Sequence, residues 1–360
     1  MKVLLTGATG TFGKAFLRRS LSPLDQAASF QTTGNPLVGG SHGCMGMSSY
    51  SVTKLAAFAR SESRLSNVSA SFSNAPAFRA FLGDVRDKER LKDACDGIDV
   101  IVHAAALKRV DDGSYNPSEM IQTNIVGTQN VIRAGLSCGV SKIVIVSSDK
   151  AVAPINVYGG TKFVSEQFSI AFNSVSIPRG TKVSCVRYGN VLGSTGSVLT
   201  LWDKQREDGV IKITDGTMTR FWMSVDDAVS LVFSAIHHMQ GGEIFIPALR
   251  SSSIEQLAHA FAPECELEET GRRVGGEKVH EHLLSEDECR RVISRDGMIV
   301  IPPGTVRLDT HWDSLSNLWD TDSSVPIPVP YTSESGGVGD LYSLSELHEL
   351  LVRITADPYV

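Results

Sequence analysis

Apolar residues fall in short unbroken runs separated by amphipathic stretches, as in Lys2-Val-Leu-Leu-Thr6 and Lys142-Ile-Val-Ile-Val-Ser147. Consecutive apolar positions predict strands buried on both faces, since a half-solvated strand would alternate. On that criterion strands are expected at 2–6, 52–58, 78–82, 99–103, 142–147 and 183–187. Helical spacing is expected at 14–21, 117–138 and 156–174. Strand and helix alternate to about residue 190, which predicts an α/β fold with a doubly wound parallel sheet. Beyond it the pattern loosens into a strand at 211–214 and helices at 225–239 and 343–353. The expected division is residues 1–190 as the dinucleotide-binding domain and 191–360 as mainly a smaller C-terminal substrate-binding lobe. Residues 22–50, rich in Ser, Gly and Gln with Pro23 and Pro36, read as an inserted loop, and 313–340 as a disordered or extended segment.

The first strand runs into Gly7-Ala-Thr-Gly10-Thr-Phe-Gly13, with a helix beyond. Strand, glycine turn and helix together present free backbone N–H groups and the positive end of a helix dipole to a pyrophosphate. The sheet is therefore expected to be Rossmann-type, with Gly7, Thr9, Gly10, Thr11, Phe12 and Gly13 against a dinucleotide. Asp84 and Val85 after the third strand, and Ala104 and Ala105 after the fourth, should line the same cleft. The acidic residue expected about 20 residues after the glycines is missing. In its place stands Phe58-Ala-Arg60-Ser61-Glu62. Arg60 and Ser61 suit a ribose 2′-phosphate, so the expected cofactor is NADP.

Composition narrows the setting. A chain of 360 residues with 42% hydrophobic residues can bury one large core and a smaller lobe. A net charge of −6 argues against general nucleic-acid binding, so an anionic ligand must be held by local arginines and helix ends. The six cysteines, at 44, 95, 138, 185, 265 and 289, show no metal-ligand spacing and suit reduced thiols of a cytoplasmic protein. No metal is expected. No apolar run has the length of a membrane span, and no secretory leader is recognisable.

The stretch richest in chemistry is Ser147-Ser148-Asp149-Lys150, followed by Tyr158-Gly-Gly-Thr-Lys162. Asp149 and Lys150 lie at the carboxyl end of the fifth strand, where an open α/β sheet places its active site. Tyr158 and Lys162 are one helical turn apart, so the ammonium can lower the pKa of the phenol and make it a base. Tyr50-Ser-Val-Thr-Lys54 has the same interval. It opens the second strand, however, where residues four apart are not one turn apart.

Over nearly the whole chain except 22–50, the sequence resembles the extended short-chain dehydrogenase/reductase superfamily, and within it the inverting UDP-N-acetylglucosamine 4,6-dehydratases. The motifs are His103-Ala-Ala-Ala-Leu-Lys108, Tyr115-Asn-Pro with Thr123-Asn124-Ile-Val-Gly, Ser148-Asp-Lys-Ala-Val-Ala-Pro-Ile-Asn-Val-Tyr158, Arg187-Tyr-Gly-Asn190-Val, Met218-Thr-Arg220-Phe-Trp and Gly242-Glu-Ile-Phe-Ile-Pro247. Glu277-Lys278-Val-His280-Glu281 and Tyr331-Thr-Ser-Glu-Ser add to it. The resemblance implies that Lys108, Asn124, Tyr158 and Lys162 also touch the cofactor. It implies that Ser148, Asn190, Ser197, Arg220, Arg273 and Glu277 hold a UDP-sugar. The 272–277 loop departs from the family's Arg-Pro-Gly-Glu, leaving Arg272 and Arg273 both open as the phosphate ligand.

The implied reaction begins with proton loss from the sugar 4-hydroxyl to Tyr158 and hydride transfer from carbon 4. Lys150, neutral for part of the cycle, then takes the carbon 5 proton, while Asp149, with a raised pKa, protonates the departing 6-hydroxyl. Hydride returns to carbon 6 and carbon 5 is reprotonated from the opposite face. The resemblance also implies a homo-oligomer, a dimer or hexamer. A 4-epimerase or a non-inverting dehydratase is the alternative within the class, and a non-catalytic dinucleotide-binding sensor or scaffold is the alternative outside it.

Overall fold

A computed structural model describes residues 1–21, 51–194, 196–271, 276–295, 297–303, 331–336 and 341–355. The predicted inserted loop 22–50, Tyr50 with it, lies outside the described residues. The parallel strands are β1 (Lys2–Thr6), β2 (Lys54–Ala59), β3 (Phe78–Leu82), β4 (Val100–His103), β5 (Lys142–Val146) and β6 (Lys182–Val186). A two-residue strand β7 (Asn190–Val191), then β8 (Val210–Ile213), β9 (Thr219–Met223), β10 (Ile244–Pro247), β11 (Ser251–Ser253), β12 (Glu266–Glu269), β13 (Ile293–Arg295) and β14 (Met298–Ile301) follow. The main sheet has nine strands in the order β13-β14-β10-β6-β5-β4-β1-β2-β3. All neighbours from β3 to β10 pair parallel, while β14 and β13 are antiparallel.

The predicted strands appear within two residues of their expected ends, and except in the edge strand β3, where Arg79, Ala80 and Leu82 are exposed, their inner positions are buried on both faces. Val3 to Leu5, Ile101, Val102 and Ile143 to Ile145 are at most 1% exposed. Strand order reverses between β1 and β4, so the crevice beyond their carboxyl ends is the place for a ligand. Three strands of the sheet, β10, β13 and β14, come from residues after 190.

The helices on the sheet are α1 (Thr11–Leu21), α2 (Glu62–Ser71), α3 (Lys88–Cys95), α4 (Val110–Tyr115), α5 (Pro117–Ile121), α6 (Gly127–Ser137) and α7 (Val157–Ala171). The helix expected at 117–138 is α5 and α6 joined by a wider turn, Gln122–Val126, in which the Gly127 N–H donates to the Gln122 carbonyl. Single wide turns of this kind often lie at functional sites. Asn124 is inside it.

The smaller lobe contains the sheet β11-β9-β7, the pair β12-β8, and the helices Val198–Arg206, Ile254–Phe261 and Leu344–Thr355. Its own core gathers Trp202, Ile211, Met218, Trp222, Leu257 and Leu347. Part of the segment expected to be disordered or extended is instead packed. Tyr331 is 0% exposed and its hydroxyl accepts the Leu249 N–H at 2.9 Å. Composition averaged over 313–340 hides this single aromatic anchor. Residues 313–330 and 337–340 lie outside the described residues.

Candidate active site

The glycine turn is shaped by close backbone approach. Gly7 has φ +72°, and a Cβ there would lie 2.8 Å from the carbonyl of Ala104 and the nitrogen of Ala105. A Cβ on Gly13 would lie 2.5 Å from the Gly7 oxygen. The ends of β1 and β4 and the start of α1 can therefore meet only without side chains. Thr9, Gly10, Thr11 and Phe12 complete the turn, and α1 begins at Thr11. Such a cradle fits a pyrophosphate.

Beneath it a neutral imidazole ties the strand ends together. The Thr128 hydroxyl donates to the Asn124 carbonyl at 2.6 Å, which leaves its oxygen to accept from His103 Nε2 at 3.1 Å. His103 Nδ1 then accepts from the Thr6 hydroxyl at 2.7 Å. Burial and the Lys162 charge push the His103 pKa down to about 3. Asn124 does not present its amide to the cleft. Its oxygen accepts from Leu107 N–H at 2.8 Å, and its nitrogen donates to the Leu107 carbonyl at 2.9 Å and the Thr161 hydroxyl at 3.0 Å. Its role here is to hold the 104–108 loop. Lys108 is on that loop at the rim, with a pKa lowered by desolvation and by Lys150.

At the far end of the cleft, the Ser61 hydroxyl is the N-cap of α2 and accepts from Arg64 N–H, while Arg60 is exposed. Asp84 accepts from Arg86 at 2.7 Å, and Val85 is buried behind it. Burial works to raise the Asp84 carboxyl, but Arg86 outweighs it, with a smaller contribution from Arg60, and holds it below the usual carboxylate range.

The residues expected to carry the chemistry gather at the end of β5. Ser148 caps a single turn, Asp149–Ala151, and Asp149 N–H donates to the Tyr188 carbonyl at 3.1 Å. Asp149 is 0% exposed; its Oδ1 accepts from the Ser148 hydroxyl at 2.7 Å and from Lys150 Nζ at 3.1 Å. Its Oδ2 is buried with no hydrogen-bond partner among the described residues. Lys150 Nζ also donates to Asn190 Oδ1 at 3.0 Å and lies 3.3 Å from Glu281 Oε1. Desolvation opposes its charge, yet Asp149 and Glu281 outweigh that and raise its pKa.

Tyr158 reaches the same place because α7 packs tightly on the Asp149–Ala151 turn. Asn156 caps α7 by accepting from Gly159 N–H at 2.9 Å, and its side-chain nitrogen donates to the Gly276 carbonyl at 2.9 Å. A Cβ on Gly159 would stand 2.5 Å from the Lys150 oxygen. Tyr158 is 8% exposed and hydrogen-bonded to Ser148. Burial raises its pKa, and the cation that pulls it down is Lys150 rather than Lys162. Lys162 Nζ instead donates to the Val146 carbonyl at 2.5 Å. Desolvation pushes its pKa down to about 8.

Of the expected substrate residues, Ser148 and Asn190 touch the Asp149–Lys150 pair directly. Arg220 is 5% exposed, donates to the carbonyls of Thr219 at 2.7 Å and Val279 at 3.1 Å, and acts electrostatically on Lys150 and Glu281. The Ser197 hydroxyl is buried with no partner among the described residues. Glu277 stands half-buried beside Lys278, and Arg273 lies outside the described residues. Sequence reasoning assigned no role to Glu281 or Lys278. Both lie inside a quoted motif, but no periodicity brings residue 281 to residue 150.

The family model for polysaccharide biosynthesis proteins matches residues 32–303. The chain belongs to that family. It is 38% identical over 336 residues, 92% of each chain, to a Campylobacter jejuni UDP-N-acetylglucosamine 4,6-dehydratase (inverting). This bears out the resemblance read from the motifs. Among solved structures, Pen from Bacillus thuringiensis superposes with a TM-score of 0.79 at 30% identity and 98% coverage of both chains. DesIV from Streptomyces venezuelae, a dTDP-glucose 4,6-dehydratase with NAD and TYD bound, shares the fold. Its TM-score is 0.62 at 22% identity, covering 77% of this chain and 86% of its own. MoeE5 and the Bacillus anthracis dTDP-glucose 4,6-dehydratase of the same fold also hold NAD. These findings overturn the expectation of NADP. The local reason is that Arg60 and Ser61 have ordinary structural places, Ser61 as the N-cap of α2 and Arg60 as an exposed strand end whose charge lowers Asp84 only slightly. Among the described residues no helix is long and apolar enough to cross a membrane.

Proposed function

We propose that this protein is an NAD-dependent UDP-N-acetylglucosamine 4,6-dehydratase that inverts carbon 5. One observation carries the reading: a buried carboxyl and an amine, Asp149 and Lys150, converge with the Tyr158 phenol beyond β5. Simple 4-epimerisation requires no such acid and base beside the phenol. The glycine turn 7–13, Asp84, Val85, Ala104, Ala105 and Lys162 would hold the dinucleotide, and a turn that admits no Cβ at Gly7 or Gly13 fits it. Bound NAD supplies reversible hydride transfer, from carbon 4 and back to carbon 6.

Tyr158 takes the proton of the 4-hydroxyl, and the ketone so formed acidifies the hydrogen at carbon 5. Elimination then needs a neutral amine at Lys150 and a protonated carboxyl at Asp149. The ion pair of the resting site is the proton isomer of that couple. Transfer of one proton across the 3.1 Å hydrogen bond from Nζ to Oδ1 makes acid and base together, with no change in total protons. Lys150 then removes the carbon 5 proton, Asp149 protonates the 6-hydroxyl, water leaves, and the ion pair is restored. Arg220, Asn190, Ser197 and Glu277 support binding of the UDP-sugar, with the smaller lobe covering the crevice. We further propose a homo-oligomeric, cytoplasmic enzyme.

The test is turnover of UDP-N-acetylglucosamine in deuterated water. The expected product is a 6-deoxy-4-keto sugar nucleotide with solvent deuterium at carbon 5 and the L configuration. Asp149→Asn and Lys150→Ala should abolish it. A product that keeps its 6-hydroxyl and is inverted at carbon 4 would make the protein an epimerase, and no turnover with NAD bound would make it a sensor.

A further inference from the structure

Beyond the acid, base and phenol, the site contains a second buried carboxylate. Glu281 is 3% exposed; its Oε1 is 3.3 Å from Lys150 Nζ and its Oε2 is 3.2 Å from Lys278 Nζ. Its backbone is fixed from both directions. Glu281 N–H donates to the Ser333 hydroxyl at 2.8 Å, and Ser333 N–H donates to the Glu281 carbonyl at 2.9 Å. Lys278 Nζ also donates to the Val152 carbonyl at 2.5 Å, two residues past Lys150. A carboxylate held this firmly beside the proposed base is more than a helix tie or a loop contact.

We propose that Glu281 is a positioning residue for Lys150, fixing the direction of its amine toward carbon 5. This rests on the dehydratase reading above. When Lys150 accepts the carbon 5 proton, positive charge grows on Nζ while Asp149 becomes an anion by protonating the leaving hydroxyl. The carboxylate at 3.3 Å keeps the amine in place as it gives one proton to Asp149 and takes another from carbon 5. Glu281 itself stays ionised. Burial alone would raise its pKa, but Lys150, Lys278 and Arg220 hold it down at about 2. The charged and titratable groups facing Lys150 are Asp149, Glu281, Arg220, Tyr158 and Lys108. Those facing Glu281 are Lys150, Lys278, Arg220, Tyr158 and His282.

The experiment separates the two halves of the reaction in full-length protein with NAD and UDP-N-acetylglucosamine. Oxidation at carbon 4 is read as a single-turnover burst of reduced dinucleotide, and carbon 5 chemistry as deuterium wash-in. Glu281→Gln keeps the shape and removes the charge. It should slow wash-in by about tenfold or more, the scale of a reacting group displaced by under 1 Å, while the carbon 4 burst stays within about threefold. The falling limb of the wash-in pH profile, which reports loss of the one proton shared by Asp149 and Lys150, should move to lower pH, because loss of the anion lowers the Lys150 pKa. Glu281→Asp, which restores the charge at longer reach, should recover part of the rate. Parallel loss of both steps in the two variants, or no change in either, overturns the assignment. Absence of carbon 5 exchange in the unaltered protein overturns the dehydratase reading and this role with it, whereas exchange that is indifferent to Glu281→Gln overturns the role alone.

Discussion

Gly159→Ala isolates the geometric basis of the site. The added Cβ would lie 2.5 Å from the Lys150 carbonyl oxygen and 3.1 Å from the Pro154 Cβ, where ordinary contact begins at 3.4 Å. The obstruction is backbone, so α7 and the Asp149–Ala151 turn must separate by about 0.9 Å. Overpacking of this kind costs about 1–3 kcal/mol. Alanine returns up to ~1 kcal/mol of helix propensity, so net destabilisation should be about 0–2 kcal/mol. Activity should suffer more. Tyr158 precedes Gly159 and its phenol must meet the sugar together with Lys150, and a displacement near 1 Å costs roughly 10²-fold in rate. Gly160→Ala is the matched control, since a Cβ there meets nothing within 4 Å. It should gain up to ~1 kcal/mol with unchanged turnover. Urea denaturation and steady-state kinetics on both variants check this. A Gly159→Ala enzyme as stable and as fast as Gly160→Ala would refute the close-approach argument.

Other expectations concern buried charge. Arg187 is 1% exposed and donates to Glu166, to Glu288 at 3.0 Å and to the Leu283 carbonyl at 2.8 Å, joining the end of β6 and α7 to the 283–288 segment. Arg187→Met leaves the fully buried Glu166 uncompensated and should cost ~3–5 kcal/mol in chemical denaturation; a loss below ~1 kcal/mol would show the triad to be dispensable. For His103 the folded pKa, about 3, lies below the unfolded one, so the unfolded chain takes up the proton first as pH falls. Stability should decline between about pH 6.5 and 3 by up to ~1.4 kcal/mol per unit from this group, and His103→Gln should remove that part of the slope. An unchanged slope would mean that the imidazole is reached by solvent. Finally, NAD should support turnover with a kcat/KM at least tenfold above that with NADP, and Arg60→Ala should leave the NAD value within about twofold.

What the chain determines by itself is local. The apolar runs specify β1, β2, β4, β5 and β6 because a strand buried on both faces needs nearly every residue apolar, while β3 is a half-exposed edge strand. Gly7 and Gly13 announce a cradle because no side chain fits there, and Asp149, Lys150 and Tyr158 are legible because they are adjacent or follow one turn and one helix start. The tertiary structure decided what depends on distant segments. It brought Glu281 and Lys278 to Lys150, turned Lys162 toward the Val146 carbonyl, gave Tyr158 its cation from Lys150, and packed Tyr331 where composition pointed to disorder. Arg60 and Ser61 show the limit most plainly: they suit a phosphate by residue type alone, yet in the fold Ser61 caps α2 and Arg60 is an exposed strand end whose charge acts weakly on Asp84. A residue's type sets what it can bond to, and the partners that reach it first set what it does.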